Sequence, residues 1–449
     1  MKFFLHKTVV LLMVFFLVQI PLYWTDSLNN ERRDFKKEAS ATVSKSYAAH
    51  QSMPGPILVF PYVHAYWQDL VNNQGNPVGR EQKFTYGSIS LLPKKLSIIN
   101  KMTAEERRIG IFPVPVFKAE VQMAADFSWE ELDSGVLLKP DDTLEWGQAF
   151  IALPISDQHG IKVIQKMRWE DNDLAYTPGS QVELFDGKGI HADVPAHSHA
   201  SNAQALIHME VVGTEMLQNI PTADQTTVTT QSNWPHPQFL GAQLPDTRDI
   251  SDNGFTAVWF SSALASNINT LWQKCFNLHD CQSLENENLG VQLIDPTNFY
   301  TKMTRALKYG FLFLAITFIA FLLFEVLCNL RIHPVQYAFL GIASGIFFIL
   351  LLSFAEHIGF AYAYAIAASG CLLLLSVYAH ALLKHWRRTL SFSAVLTMLY
   401  LVLYTILQQE DAALLTGSLL IFALLAVAMM STRKIDWYVW QEQLAKPTL

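Results

Sequence analysis

Residues 8–24 read TVVLLMVFFLVQIPLYW, and this stretch decides how the rest of the chain must be interpreted. About 17 apolar positions, at roughly 1.5 Å of rise each, reach the short end of a membrane span. Lys2 and Lys7 precede the run, as in a cleaved signal peptide. However, no small-x-small cleavage site follows, and the run ends in Pro-Leu-Tyr-Trp. We therefore predict an uncleaved signal-anchor helix, with a cleaved signal peptide as the alternative.

After this run, long apolar segments recur only in the last third of the chain. The protein has 449 residues, of which 51% are hydrophobic and only 16% charged, whereas soluble domains carry about 25% charged residues. Segments of this length and composition can cross a membrane only as helices. The five C-terminal candidates are 309–330, 337–354, 358–383, 390–407 and 412–430. The sequence thus predicts an integral membrane protein with six spans, divided into segments 1–24, 25–305, 306–430 and 431–449.

Positive charge in the short loops predicts the orientation of these spans. The segments on the side of the N-terminus contain Lys and Arg, whereas the turns AEHI and QQED on the other side contain neither. Lys302, Arg305 and Lys308 disagree, but they end a long translocated segment, where the rule is weak. We expect both termini in the cytoplasm, residues 25–305 outside it, and the lipid bilayer as a partner.

The polar segment between the spans reads as a β-rich domain. Residues 27–52 alternate in charge and predict a juxtamembrane helix. After them, runs rich in β-branched residues recur between Gly, Pro, Asn and Asp clusters, which is typical of an antiparallel sandwich. The net charge of −7 gives no basic stripe and no reason to expect nucleic acid as a partner.

Motifs for catalysis and cofactor binding are scarce. The sequence contains no G-x-S-x-G elbow, P-loop or H-E-x-x-H motif, so no cofactor is expected. His191, His197 and His199, with Asp193, form a weak candidate for a zinc or copper site. A polar surface loop that is rich in histidine is the favoured interpretation of this stretch.

Glu325 is the notable ionisable residue inside a predicted span, and such a carboxylate is a functional-site hypothesis by default. Arg331 and His333 follow closely enough to pair with it, so a structural ion pair is favoured over a proton relay. Glu356 and His357, in an outside turn, are expected only to solvate that turn.

Two further features concern packing. Gly341 and Gly345 form a small-xxx-small face that lets helices approach closely. We expect this face to pack the third span against the fourth, and a homo-oligomer interface is the alternative. Cys275 and Cys281 lie in the outside domain, where an oxidising compartment would allow a disulfide between them.

Residues 231–241 read QSNWPHPQFLG and place a Trp and a His directly before prolines. Residues before proline avoid the α region, so Trp234-Pro235-His236-Pro237 predicts a stiff, extended connector. As a structural corner, Trp234 and Phe239 would pack into the domain. As a docking edge, they would face a partner. The corner is favoured, because large aromatic side chains are more often buried than displayed.

Several stretches together resemble the inner membrane protein CreD family. They are SNWPHPQFLG (232–241), GFTAVWFSS (254–262), RIGIFPVPVF (108–117) and LLLSFAEHIGFAYAYAIA (350–367), and the resemblance covers nearly the whole chain. Neither the cysteine pair nor the histidine-rich loop belongs to the family pattern.

The resemblance implies an inner membrane protein linked to envelope integrity, envelope stress and β-lactam resistance in Gram-negative bacteria. It also implies membership of a regulon governed by the CreB–CreC two-component system, and it offers no catalytic residues. We therefore expect a non-enzymatic protein whose periplasmic domain binds a periplasmic protein or an envelope polymer. The alternative is a proton-coupled transporter or membrane enzyme that uses Glu325.

Overall fold

The computed structural model describes residues 2–71, 77–130, 141–195, 202–294, 299–328, 330, 332–408 and a few positions between 417 and 433. The chain divides into two compact units. One consists of Met1–Lys37 with Thr297–Leu449, and the other is the insertion Glu38–Pro296. Each unit is described by itself.

The first unit is helical. Five of the described helices are long and apolar enough to cross a membrane, and the first of these includes the N-terminal segment. The helices that contribute to this unit are α1 (Lys2–Leu17), α2 (Ile20–Ser46), α6 (Phe299–Leu327), α7 (Pro334–Ile358), α8 (Phe360–Leu383) and α9 (Trp386–Gln408). The predicted spans 309–330, 337–354, 358–383 and 390–407 correspond to α6–α9, while most of 412–430 lies outside the described residues.

Most of these helices extend past the apolar windows that predicted them, because a helix continues into the polar boundary wherever its ends are satisfied. At the start of α7, the His333 side chain accepts the Val335 N–H while Gln336 reaches back to the His333 backbone. Pro334 occupies the first helical position, where its missing N–H costs nothing. These residues fix where α7 begins.

The helix α2 contributes to both units, with its boundary at Lys37–Glu38. The predicted juxtamembrane helix 27–52 is therefore the continuation of the N-terminal helix, and it ends at Ser46. Within the second unit, Ala39 and Val43 pack against Val114 and Val116.

The second unit is β-rich, as the sequence predicts. Its helices are α3 (Ala263–Ser266), α4 (Ile268–Leu278) and α5 (Gln282–Asn286). Its strands are β1 (Gln51–Pro54), β2 (Ile57–Val71), β3 (Pro77–Leu91), β4 (Lys95–Ile109), β5 (Phe112–Ser128), β6 (Asp142–Leu144), β7 (Phe150–Pro154), β8 (Ile161–Trp169), β9 (Asn172–Asp173), β10 (Thr177–Pro178), β11 (Gly189–Asp193), β12 (Asn202–Thr214), β13 (Met216–Ile220), β14 (Gln225–Ser232), β15 (Pro237–Gly241), β16 (Thr247–Ser251), β17 (Gly254–Ser262) and β18 (Leu289–Leu293).

These strands form three sheets. The four-stranded sheet has the order β1-β13-β18-β15, the six-stranded sheet β10-β11-β7-β2-β3 with β6 beside β2, and the eight-stranded sheet β16-β17-β14-β4-β5-β12-β8-β9. Most pairs are antiparallel, as the sequence predicts, while β1–β13 and β4–β14 are parallel, which it does not predict. The members of each parallel pair are far apart in sequence. A pattern of strands and turns indicates hairpins but cannot reveal such distant pairings.

One core serves all three sheets. Along β4 the side chains alternate between exposed and buried, as expected for a strand with one covered face. The main core cluster takes Met53 and Val291 from the four-stranded sheet, Leu58 from the six-stranded sheet, and Ile98 and Phe117 from the eight-stranded sheet. Burial of these apolar faces against one another is what holds the sheets together.

Candidate functional site

The proline-rich connector, residues 232–239, is a tight corner at the edge of this core, and we call it the proline corner. Trp234 is 8% exposed and belongs to the main core cluster. Its Nε1–H donates to the Ile294 carbonyl oxygen at 2.9 Å, so the polar end of the ring is satisfied. Pro237 begins β15, and the exposed His236 accepts the Ile294 N–H at its carbonyl oxygen.

Phe239 links the proline corner to the second stretch that carries the family resemblance. Its ring lies edge-on to Phe255 and Trp259 of β17, with centroid separations of 5.8 and 5.7 Å. Stretches 232–241 and 254–262 therefore pack against each other. Trp234 and Phe239 lie where the structural-corner alternative requires them.

Asn233 holds the other side of the corner, and the sequence analysis missed it. Its Oδ1 accepts the Ala104 N–H at 2.7 Å, and its Nδ2 donates to the Ala104 carbonyl oxygen at 3.1 Å. The side-chain amide thus imitates a peptide group and extends the β4–β14 ladder beyond Ser232. The tendency of Asn to bond locally with backbone groups, next to a proline-rich turn, was the available signal.

An open cavity of about 560 Å³ lies beside the proline corner, and we call it the corner groove. Four of its side chains share one row across the sheet, because Gln231 pairs with both Lys101 and Thr256, and Asp249 pairs with Thr256. Directly opposed residues on neighbouring strands point to the same face. The groove therefore offers an amide, a hydroxyl and two opposite charges, groups suited to binding a polar partner by hydrogen bonds and ion pairs.

The second candidate site surrounds Glu325, which is fully buried at the end of α6. Its Oε2 accepts the Tyr337 hydroxyl at 2.7 Å and its Oε1 accepts the Ile332 N–H at 3.2 Å. Both oxygens thus connect the end of α6 to the start of α7. Of the two partners proposed from the sequence, His333 caps α7 and Arg331 lies outside the described residues.

A second, largely covered carboxylate in the helical unit has a different role from the one the sequence predicts. Glu356 was expected to solvate a turn, but its side chain is only 9% exposed. Its Oε1 accepts the Tyr300 hydroxyl at 3.3 Å and lies 3.5 Å from Arg32 Nε. Nearby, Asn29 Nδ2 donates to Thr304 at 2.9 Å. This polar cluster joins α2, α6 and α7, which the sequence could not bring together because their residues lie far apart in the chain.

The glycine face also has a different neighbour from the expected one. A Cβ atom on Gly341 would lie 2.5 Å from the Val18 side chain, and one on Gly345 would lie 3.2 Å from Pro21. The two glycines therefore accommodate the N-terminal helical segment rather than the fourth span. α8 contacts another part of α7, where the Cys371 thiol lies 3.7 Å from the Ala343 carbonyl oxygen.

The remaining candidates concern cysteine and histidine. Cys275 and Cys281 are joined in a disulfide. His191 Nδ1 faces the Gly179 carbonyl oxygen, which can only accept, so Nε2 accepts from the Gln181 amide. His197 and His199 lie outside the described residues. Among the described residues, no group of three or more His, Cys, Asp or Glu side chains could hold a metal ion.

An apolar N-terminal helix, a large β-rich insertion and further apolar helices define a multi-span membrane protein with one large folded domain. Residues 3–438 match the family model described as Inner membrane protein CreD. The chain is also 32% identical over 425 residues to the inner membrane protein CreD of Escherichia coli (strain K12), covering 94% of this chain and 91% of that relative. The chain belongs to the CreD family of inner membrane proteins.

Among solved structures, a comparison with an M1 zinc metallopeptidase mutant from Deinococcus radiodurans gives a TM-score of 0.19 at 7% identity. It covers 37% of this chain and 38% of that one. A likeness this slight carries no argument about fold or function.

Proposed function

We propose that this CreD family member maintains the integrity of the Gram-negative cell envelope by binding an envelope component through its β-rich domain. In this proposal the domain lies in the periplasm and both termini lie in the cytoplasm. The distribution of Lys and Arg in the short loops supports that orientation. The Cys275–Cys281 disulfide is also in keeping with an oxidising compartment.

The observation that carries the proposal is the relation between the corner groove and the family stretches. Stretches 232–241 and 254–262 build the buried corner, and Asn233 and Gly254 also line the groove. Two of the stretches that carry the family resemblance therefore shape a polar surface. Its one cation, one carboxylate and neutral donors fit a polar protein segment or an envelope polymer.

Expression under the CreB–CreC two-component system during envelope stress is a further part of the proposal, and family membership supports it. A transcript that does not respond when CreB and CreC are deleted would remove this part alone. A separate crosslinking experiment tests the binding role of the groove.

That experiment places a photo-crosslinking amino acid at Gln231 in the full-length protein in cells. The matched control carries it at Asp171, whose side chain is fully exposed in the β8–β9 turn. We expect a discrete adduct from position 231 and none from position 171. The double variant Lys101→Ala, Asp249→Ala should lose both the adduct and complementation of a deletion strain. Full complementation by that variant would refute the role of the groove.

A proton-coupled function of Glu325 is the alternative. Its two carboxylate oxygens already bond to Tyr337 of α7 and to the Ile332 N–H just before that helix, which favours a structural tie. A proton relay predicts that Glu325→Gln abolishes function, whereas a structural tie predicts that Glu325→Gln leaves function intact.

A further inference from the structure

The hairpin formed by β2 and β3 is an arm whose outer part lacks a covering element among the described residues. The two strands pair continuously from Leu58–Leu91 to Leu70–Gly79. At the base, Ile57 and Val59 pack with Trp272 of α4. Beyond the base, residues 66–70 and 79–86 are exposed on both faces. We call these outer residues the hairpin arm.

One edge of the hairpin arm is open. In the described part of the chain, β3 pairs only with β2, so it ends the six-stranded sheet. Its outer row of N–H and C=O groups can accept another strand, and natural proteins protect or use an edge of this length. Here the edge strand is 15 residues long.

One face of the hairpin arm is aromatic. Phe84 lies opposite Ala65, and Tyr86 lies opposite Val63, so these side chains share a face with Trp67. Their exposed fractions are 55% for Phe84, 75% for Tyr86 and 64% for Trp67. Contiguous exposed apolar surface of this kind marks an interaction site.

We infer that β3 pairs antiparallel with β3 of a second copy of this chain, about a two-fold axis that passes through Gln82. In this register Glu81 lies opposite Lys83 of the second copy, and the symmetry repeats the pair. On the other face, Arg80 lies opposite Phe84 of the second copy, a cation–aromatic pair that also occurs twice. The two aromatic faces then join on one side of a continuous twelve-stranded sheet, twice the six strands of one copy.

The charges of β3 select this register over its neighbours. A two-fold axis perpendicular to the sheet must place one residue of β3 directly opposite the same residue of the second copy, because directly paired side chains share a face. Centred on Glu81, the pairing would oppose two carboxylates. Centred on Lys83, it would oppose two ammonium groups. Only the axis through Gln82 places each of these charges opposite one of the other sign.

The membrane favours this contact. Ten or so residues of edge pairing form a smaller interface than a stable soluble dimer needs. However, copies confined to one bilayer meet at a high effective concentration, so a modest interface suffices.

Cysteine crosslinking of the full-length protein in membranes tests the register. In the proposed pairing, residue 82 faces itself with Cα atoms about 5 Å apart, within disulfide reach. Residue 85 lies about 20 Å from residue 85 of the second copy, at roughly 3.4 Å per residue. Gln82→Cys should therefore give a disulfide-linked dimer on mild oxidation, whereas Thr85→Cys and the unsubstituted chain should not.

Exchange of charges tests whether the Glu81–Lys83 pairs set the register. In the Gln82→Cys background, either Glu81→Lys or Lys83→Glu alone should lower the dimer yield about tenfold, because two attractive pairs become repulsive. The two changes combined in one chain should restore it. Mixing the Glu81→Lys chain with the Lys83→Glu chain should also restore it, now as a heterodimer between differently tagged copies.

These positions are exposed, and membrane abundance of each variant verifies that it folds. A monomeric Gln82→Cys chain at normal abundance would overturn the inference. Equal crosslinking from Gln82→Cys and Thr85→Cys, or no recovery on charge exchange, would overturn it as well.

Discussion

The two carboxylates of the helical unit and the polar side chains of the corner groove and the hairpin arm are placed in opposite ways. In the helical unit, Glu325 is buried and Glu356 is largely covered, and their oxygens bind hydroxyl or guanidinium groups of neighbouring helices or the backbone just before α7. In the β-rich unit, the polar row of the corner groove and the charges of the hairpin arm face outward. The buried carboxylates join helices of the bundle, whereas the outward polar groups of the domain are the ones on which the proposed binding role rests.

The largest expected effect is at Trp234, in the main core of the β-rich unit. Trp234→Ala removes a core side chain and leaves the Ile294 carbonyl oxygen without its donor, which should cost about 3–5 kcal/mol of unfolding free energy. Membrane abundance and the denaturation midpoint should both fall. His236→Ala, two residues away and exposed, is the matched control and should stay within about 0.5 kcal/mol. Normal abundance of Trp234→Ala with loss of complementation would instead favour the docking-edge alternative.

The membrane spans and the proline corner show which features could be predicted from the sequence and which could not. Hydropathy predicted the four described C-terminal spans, because the bilayer demands long apolar segments whatever their neighbours. Pro235 and Pro237 predicted the stiff connector, because proline restricts the backbone locally. The partner of Asn233 could not be predicted, since Ala104 is more than a hundred positions away and only the folded sheet brings it close.

The same limit applied in the helical unit. The spacing of Gly341 and Gly345 predicted close helix approach, but spacing carries no information on which helix approaches. Glu356 looked like part of a polar turn because its partners, Arg32 and Tyr300, come from distant segments.

The next largest effect should arise at Glu325. Glu325→Ala leaves the buried Tyr337 hydroxyl and Ile332 N–H without these acceptors, at a cost of roughly 2–4 kcal/mol. Glu325→Gln keeps an acceptor oxygen and should retain most of the stability and full complementation. Thermal unfolding in detergent measures the first effect. A Gln variant that is stable yet inactive would mean that function requires the carboxylate itself and not only its role in joining the two helices.

A smaller loss is expected at the glycine face. A methyl group on Gly341 meets Val18 and Phe318, so Gly341→Ala should destabilise the bundle by about 1–3 kcal/mol through overpacking. A methyl group on Gly370 would meet no described atom within 4 Å outside its own part of the helix, so Gly370→Ala should be neutral or slightly stabilising. Thermal unfolding in detergent compares the two variants. Equal behaviour would show that the N-terminal helix does not rest on this face.

The smallest effect is expected at Asp157, which binds the backbone between α2 and β1. Asp157 is partly buried, which by itself raises the pKa of its carboxyl, but hydrogen bonds from the Ala49 N–H and from His159 hold that pKa below its ordinary value. A lowered pKa stabilises the fold above about pH 4, and that contribution is lost as the pH falls further. Asp157→Asn should cost about 1 kcal/mol at pH 7. In denaturant unfolding the difference should shrink as the pH falls below about 4, and a difference that stays constant down to about pH 2 would contradict this explanation.

Labelling of single introduced thiols in cells tests most directly whether the domain works outside the cytoplasm. The unsubstituted chain is a suitable background, because Cys275 and Cys281 are joined, Cys371 is buried and Cys328 is half-buried. With the outer membrane permeabilised, a membrane-impermeant maleimide should label Asp171→Cys at once. It should label Lys384→Cys, in the loop between α8 and α9, only after the inner membrane is lysed. Immediate labelling at position 384 with protection at position 171 would contradict the proposed placement of the domain and, with it, the binding role of the corner groove.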